Sequence, residues 1–380
     1  MGQLMPIRFT PKPTICSIWL LRLGRSFRAG LAPVVDRLKF PTTLLEMQRM
    51  FPDEDHCAAY LEALRWPEGF VCRFCGWTGA PYRFRHRASV LRCRHCQRDT
   101  ALTAGTVMQR TRTPLSVWFW TAFLVTTQTP GMSALQIQRQ LGLSRYETVF
   151  QMLHKLRAAM VRPDHDAIGA EHPVEIDETY VGGRTRGEGR GIHHQSIVVG
   201  AVEVRSRRAS EDRVARGRED HEGGRPLKRP TYAGRMRLQV ATDRKAQSLE
   251  GFIAANVTPG ALIRTDGWQG YDRIAELGYR HHPVVMAGDP ERADAHLPMV
   301  HLVFSNLKAW LRGTHHGVSQ DHLQAYLNEY VFRFNRRFYP FSAFNSVLGI
   351  AVKHEGPTYE TLYSGAWRHP NLAEYREPNQ

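Results

Sequence analysis

At 380 residues the chain is long enough for two or three domains of about 150 residues each. Its 51 Lys+Arg against 36 Asp+Glu give a formal charge of +15, which favours a polyanionic partner, and its 42% hydrophobic content excludes a wholly disordered chain. No apolar run reaches the roughly 18 residues of a membrane span, and residues 15–21, broken by Ser17 and followed by Arg22, lack the cleavage site of a secretory signal.

In chain order, residues 1–40 mix basic residues, Pro and Gly without a period and read as a poorly ordered arm. Residues 41–69 form a helical segment: Leu44, Leu45, Met47, Met50 and Phe51, then, past Pro52-Asp53, Ala58, Tyr60, Leu61 and Leu64. Residues 70–112 hold four cysteines and short β-like runs at 82–85 and 89–92. Residues 113–165 turn helical, with a nearly all-apolar buried helix over 115–127, a bihelical unit over 133–160 broken at Gly142-Leu143-Ser144, and a linker at Pro163-Asp164-His165. Residues 166–345 switch to strands in PVEIDETYVGG, QSIVVGAVEV and AGRMRLQVATD, interrupted at 205–229 by a solvated basic insertion. Alternating elements follow: helix near 247–255, strand 261–265, helix near 271–277, strand 282–286, and helices near 299–312 and 322–333. Residues 346–380 are a tail without a usable motif. The fold class is α+β or α/β, a mixed sheet covered by helices.

Cys72-x-x-Cys75 and Cys93-x-x-Cys96, 17 residues apart, match the spacing of two knuckles that present four thiolates to one structural Zn²⁺. Disulfides or buried thiols are the alternative, and the absence of a secretory signal weighs against them. Arg73, Arg83, Arg85, Arg87, Arg92 and Arg94 lie within this window with no acid among them, which points to phosphate contacts rather than a mixed solvated face. The bihelical unit has a helix-turn-helix outline that leaves Arg145, Glu147, Gln151 and Lys155 outward; an ordinary helical hairpin looks the same.

In the strand over 174–180, a period of two puts Glu175, Asp177 and Thr179 on one face and Val174, Ile176 and Glu178 on the other. Asp266 follows the apolar run Ala261-Leu262-Ile263 at a strand's carboxyl end, where ligand sites gather. Two such acids at neighbouring strand ends repel unless Mg²⁺ or Mn²⁺ lies between them, although a lone strand Asp is as often capping or salt-bridged. Asn306 shares a stripe with Met299, Val303 and Trp310, as a satisfied core amide or one aimed at metal. Lys308, about 200° round from Asn306, and Arg312 near it are assigned to solvent or phosphate. His301, His315 and His316 have no metal spacing and are set aside as DNA-contact or structural residues.

The succession of zinc ribbon, helical unit, EIDETYVGG, IRTDGWQGY, FSNLKAWLRGTHHGVS and YLNEYVFRFNRR over about residues 42–345 resembles DDE-type insertion-sequence transposases with an amino-terminal zinc ribbon, the ISXO-like group. The resemblance implies an RNase H-like catalytic domain with two Mg²⁺ or Mn²⁺ ions, its acids falling on Asp177 and Asp266 and its third position, Glu or Asn among relatives, on Asn306. An Asn there removes a negative charge, weakening the second ion unless Glu175 or a DNA phosphate compensates. It further implies binding of transposon-end and target double-stranded DNA, cleavage and strand transfer, a homo-oligomer on DNA, and a cytoplasmic, nucleoid-associated protein with no membrane partner. A nuclease of the same fold without joining activity, or a catalytically inactive DNA-binding regulator, are the alternatives.

Overall fold

The computed structural model describes residues 38–161, 166–182, 195–206, 230–284 and 296–367. Most of the amino-terminal arm, the 163–165 linker, the insertion after Ser206 and the last part of the tail lie outside the described residues.

Two short helices come first, α1 (Leu44–Met50) and α2 (Glu54–Arg65). Thr43 and Asp53 accept the N–H groups of Glu46 and His56, satisfying donors that a helix start leaves unpaired. The ribbon follows as a three-stranded antiparallel sheet, β1 (Tyr82–Arg83), β2 (Val90–Arg92) and β3 (Asp99–Ala101). Arg65 at the end of α2 donates to the carbonyls of Ala101, Leu102 and Ala104, tying the ribbon to the helix before it.

The helical unit comprises α3 (Leu115–Thr127), α4 (Ala134–Gln140) and α5 (Tyr146–Ala158). The larger sheet then runs through β4 (Val174–Val181), β5 (Ser196–Ser206) and β6 (Thr231–Ala241). Helix α6 (Ala246–Asn256) leads to β7 (Leu262–Thr265) and β8 (Arg280–Pro283). Four helices close the described chain: α7 (Pro298–His315), α8 (Gln320–Asn335), α9 (Ser342–Ala351) and α10 (Tyr359–Tyr363). The expected helix near 271–277 is a 3₁₀ turn, Gln269–Tyr271, followed by further turns.

The strand order is β6-β5-β4-β7-β8, antiparallel from β6 to β4 and parallel from β4 to β8. This is the mixed-sheet, RNase H-like arrangement expected of the sequence. The period of two in β4 divides the core. Val181 joins Val198, Val202, Met236 and Leu238 against Val303, Leu307, Leu323 and Leu327 of α7 and α8. On the other face Val174, Ile176, Val199, Ala201 and Ile263 pack on Leu249, Phe252 and Ile253 of α6. Gly200 pairs with Asp177 in the β4–β5 ladder, and a Cβ there would stand 2.7 Å from the Phe304 ring, so only glycine lets α7 lie this close to the middle of β4. The edge of β6 is closed by side chains of α8. Gln324 accepts from Val240 N–H and Asn335 from Met236 N–H, so the groups that would template another strand are occupied.

Residues 342–351, partly assigned to the tail on sequence, form α9 and return to the helical unit. Phe344 packs at ring-centroid distances of 5.8–6.3 Å from Phe51, Tyr60, Phe119 and Phe123, and Asn345 accepts from the Tyr60 hydroxyl. The buried pair Arg157–Glu329, 2.9 Å apart, ties α5 to α8. No helix among the described residues is long and apolar enough to cross a membrane.

Candidate functional site: a zinc ribbon and an acidic strand pair

The two cysteine pairs form matching knuckles. In the first, Cys72 N–H donates to Trp77 O and Gly76 N–H to Cys72 O; in the second, Cys93 N–H donates to Arg98 O and Gln97 N–H to Cys93 O. Both turns need a left-handed residue, Gly76 at φ 69° and Gln97 at φ 60°. The four Sγ atoms all lie within 4.8 Å of one another, with Cys72–Cys96 at 3.6 Å and Cys75–Cys93 at 3.8 Å. Bonds of about 2.3 Å to a tetrahedral Zn²⁺ require sulfurs about 3.8 Å apart. The residues fit a structural zinc, with all four positions filled by thiolate.

The ribbon arginines divide into two kinds. Arg83 makes a paired contact with Glu62, Arg92 makes one with Asp99, and Arg87 stands 3.8 Å from Asp99. These acids lie just outside the Cys72–Cys96 window, which is why the window looked wholly basic. Arg83 and Arg92 are therefore engaged in holding the ribbon together. Arg85 and Arg94 are exposed, Arg94 over the ring of Tyr82, and Arg73 and Arg98 flank the exposed Phe74.

In the bihelical unit, Gly142 takes φ 65° in the turn, and Val149, Met152, Leu153 and Leu156 are buried as expected. Arg145 is exposed at the start of α5. Lys155 is a correction: its ammonium donates to Gln109 O at 3.0 Å, and burial lowers its pKa, so it is not an outward phosphate contact. Gln151 also turns inward, to a hydrogen bond with Tyr363 of α10.

The acids of the catalytic domain gather around the middle of β4. The β4–β7 ladder sets Val174 against Ile263 and Glu175 against Arg264; two residues further along each strand brings Asp177 level with Asp266. Burial pushes the Tyr271 hydroxyl's pKa well upward, and the Glu178, Asp177 and Asp266 charges add to that. Asp266 accepts Trp268 N–H at 3.0 Å, and Asp177 accepts Glu178 N–H at 2.8 Å through Oδ1. Asp177 Oδ2 lies 3.0 Å from Nε2 of His301 in α7. Lys308 is half-buried on the same flank of that helix; burial and Arg312 lower its pKa while the Asp177 charge opposes them.

Asn306 sits differently from its expected place. At about 100° per residue it lies about 140° round α7 from His301, whereas Lys308, seven residues on, lies within about 20°. Its side chain is exposed on the opposite flank of the buried stripe. Lys308, assigned to solvent or phosphate, lies on the flank whose His301 meets Asp177. The missed residue is His301, and its spacing of seven from Lys308 was the available signal. Arg312 is exposed and bonded to Lys308 O. His315 stacks between Trp310 and Tyr326, burial pushing its pKa down to about 3, and is structural.

Glu175, considered as a supplementary ligand, is fully buried, and its Oε2 is already engaged by the N–H groups of Met299 and Val300. Asp177, Asp266 and His301 stand wider than the sulfur cluster, which is the only group of three or more such ligand atoms within 4.8 Å among the described residues.

Residues 169–335, the span from just before β4 to the end of α8, match the ISXO2-like transposase domain, and residues 52–99 match the transposase zinc-ribbon domain. No curated protein and no solved structure gives a match. The two matched regions carry the ribbon and the mixed sheet described above, with the helical unit between them. The chain belongs to the DDE-type transposases of the ISXO2-like group that carry an amino-terminal zinc ribbon.

Proposed function

We propose that this transposase binds the inverted repeats at transposon ends through its ribbon and helical unit, and cuts and joins DNA at a site formed by Asp177, Asp266 and His301. The observation that supports the reading is the His301–Asp177 contact at 3.0 Å, beside a parallel strand pairing beyond whose last pair, Glu175↔Arg264, Asp177 and Asp266 each lie two residues further on. Carboxylate oxygens at adjacent strand ends suit Mg²⁺ or Mn²⁺, and an imidazole donor in third place favours Mn²⁺. Two bound ions would neutralise charge on the scissile phosphate and acidify the attacking water or hydroxyl.

The chain's own groups have separate tasks in this scheme. Asp177 and Asp266 would hold the ions from the strands and His301 from the helix, where it already meets Asp177. Lys308, beside Asp177, offers its ammonium to a non-bridging phosphate oxygen. Hydrolysis at the transposon end leaves a 3′-hydroxyl, and in-line attack of that hydroxyl on a target phosphodiester expels a target 3′-oxygen and completes the joining. Because two ends must be joined, at least two copies act together on DNA.

The test is incubation of tagged end DNA with plasmid and Mn²⁺ or Mg²⁺. Asp177→Asn and Asp266→Asn should each lower joining by at least about 1,000-fold while leaving end binding intact. Cleaved but never joined ends in the unaltered protein would instead indicate a nuclease.

A further inference from the structure

Asp177 is flanked by two more acids that the fold engages, although Glu175 Oε1 is left buried without a hydrogen-bond partner among the described residues. Glu175, fully buried on the α7 side of the sheet, accepts Met299 N–H at 2.7 Å and Val300 N–H at 2.9 Å. These are first-turn donors that a helix cannot satisfy itself, and Leu297 at the N-cap supplies no side-chain acceptor. A Ser or Asp at 297 would satisfy them without burying a carboxylate. Only a group on β4 can also fix the height of α7 against Asp177, and His301 is the next residue after Val300.

Glu178 works on the other face. It accepts Arg244 Nε at 2.8 Å and the Tyr271 hydroxyl at 2.7 Å. The Arg244 guanidinium lies 4.7 Å from the Trp268 ring centroid, and Trp268 Nε1 donates to Arg244 O. Both ends of the turn that follows Asp266 are thereby held to β4. Backbone pairing cannot do this alone, because the β4–β7 ladder ends at Glu175↔Arg264, before the two aspartates.

We propose that Glu175 and Glu178 are positioning residues, which tie α7 and the Asp266 turn to β4 and so set the separation of Asp177, Asp266 and His301. The inference rests on the metal-site reading above, and it assigns the two glutamates no contact with metal or DNA.

The experiment is Mn²⁺ titration of the zinc-loaded full chain without DNA, followed by the electron paramagnetic resonance signal of free Mn²⁺. Glu175→Leu and Glu178→Ala should weaken Mn²⁺ binding by about 10-fold or more, with zinc content and end-DNA binding unchanged. Glu175→Gln, whose amide oxygen can still accept both N–H groups, should stay within about threefold of the unaltered protein. Tyr271→Phe removes one hydroxyl from a packed ring and should weaken binding about threefold even if the larger changes fail to fold. Unchanged Mn²⁺ affinity in Tyr271→Phe and in whichever of Glu175→Leu and Glu178→Ala fold would overturn the proposal. So would a Glu175→Gln loss as deep as that of Asp177→Asn, which would make Glu175 a ligand. If the unaltered protein shows no Mn²⁺ site sensitive to Asp177→Asn, the metal-site reading fails and takes this inference with it; a sensitive site indifferent to the glutamates sinks the inference alone.

Discussion

At the scale of single residues, the contrast between His301 and Asn306 turns on five positions of one helix. Both border the apolar stripe of α7, but the stripe seats the helix so that the flank carrying His301, and not the one carrying Asn306, meets Asp177. His301→Ala should therefore reduce end cleavage by about 10- to 100-fold, as expected for a lost ligand or ligand partner, and Asn306→Ala by less than about threefold. Single-turnover cleavage of labelled end DNA measures both, and the reverse ranking would return the third place to Asn306. Glu203 presents a different residue-scale case. Burial alone would raise its carboxyl, but Arg235, Arg205 and Gly169 N–H together hold it down to about 2. A folded pKa below the ordinary carboxylate value stabilises the fold above about pH 4.5, and that stabilisation disappears as pH falls toward 2. Glu203→Gln should cost about 3 kcal/mol at neutral pH, with the difference closing toward pH 2 in urea melts followed by circular dichroism.

At the scale of elements, the ribbon has very little core of its own: three strands of two or three residues around Leu91 and the cysteines. Such a unit needs its metal, because four thiols gathered within 4.8 Å of one another around so small a core call for a shared cation. Cys72→Ser should lower zinc from about one per chain, measured by plasma emission, and weaken end-DNA binding while α3 and the large sheet keep their structure. The arginines of this element show why charge density alone overstates an interface. Arg83 and Arg92 are engaged by Glu62 and Asp99 while still partly exposed, and Arg73, Arg85, Arg94 and Arg98 face outward without such an ion pair among the described residues.

Across the whole molecule, the chain doubles back. Helix α9, beyond the catalytic sheet, inserts Phe344 among Phe51, Phe119 and Phe123 of the first helices, and Arg157–Glu329 joins the helical unit to α8. The helical unit is therefore packed and ion-paired against α8 and α9, the helices that follow the sheet. Phe344→Ala should destabilise the protein by about 3–5 kcal/mol, the usual cost of emptying a buried aromatic site. Thermal denaturation should show one lowered transition covering both parts; an unshifted sheet transition would mean that the two parts unfold independently.

Much of this was readable from local pattern. The CxxC spacing implied the zinc knuckles, the period of two in β4 sorted Glu175 and Asp177 from Glu178, and the apolar stripe located α7, because each of these depends on residues close in sequence. Helix and strand periodicity cannot say which flank of a helix meets which strand, nor whether an arginine finds an acid outside the window in which it is counted. Those outcomes required chain segments 124 residues apart, Asp177 and His301, to meet. The deciding contact was set by packing: Gly200 clears room for Phe304, Glu175 holds the first turn of α7, and the helix can then seat in only one rotation. The sequence by itself pointed to the four-cysteine cluster, the two aspartates and the family; the tertiary structure decided which side chain of α7 meets Asp177, because helix rotation is fixed by long-range packing that no local period encodes.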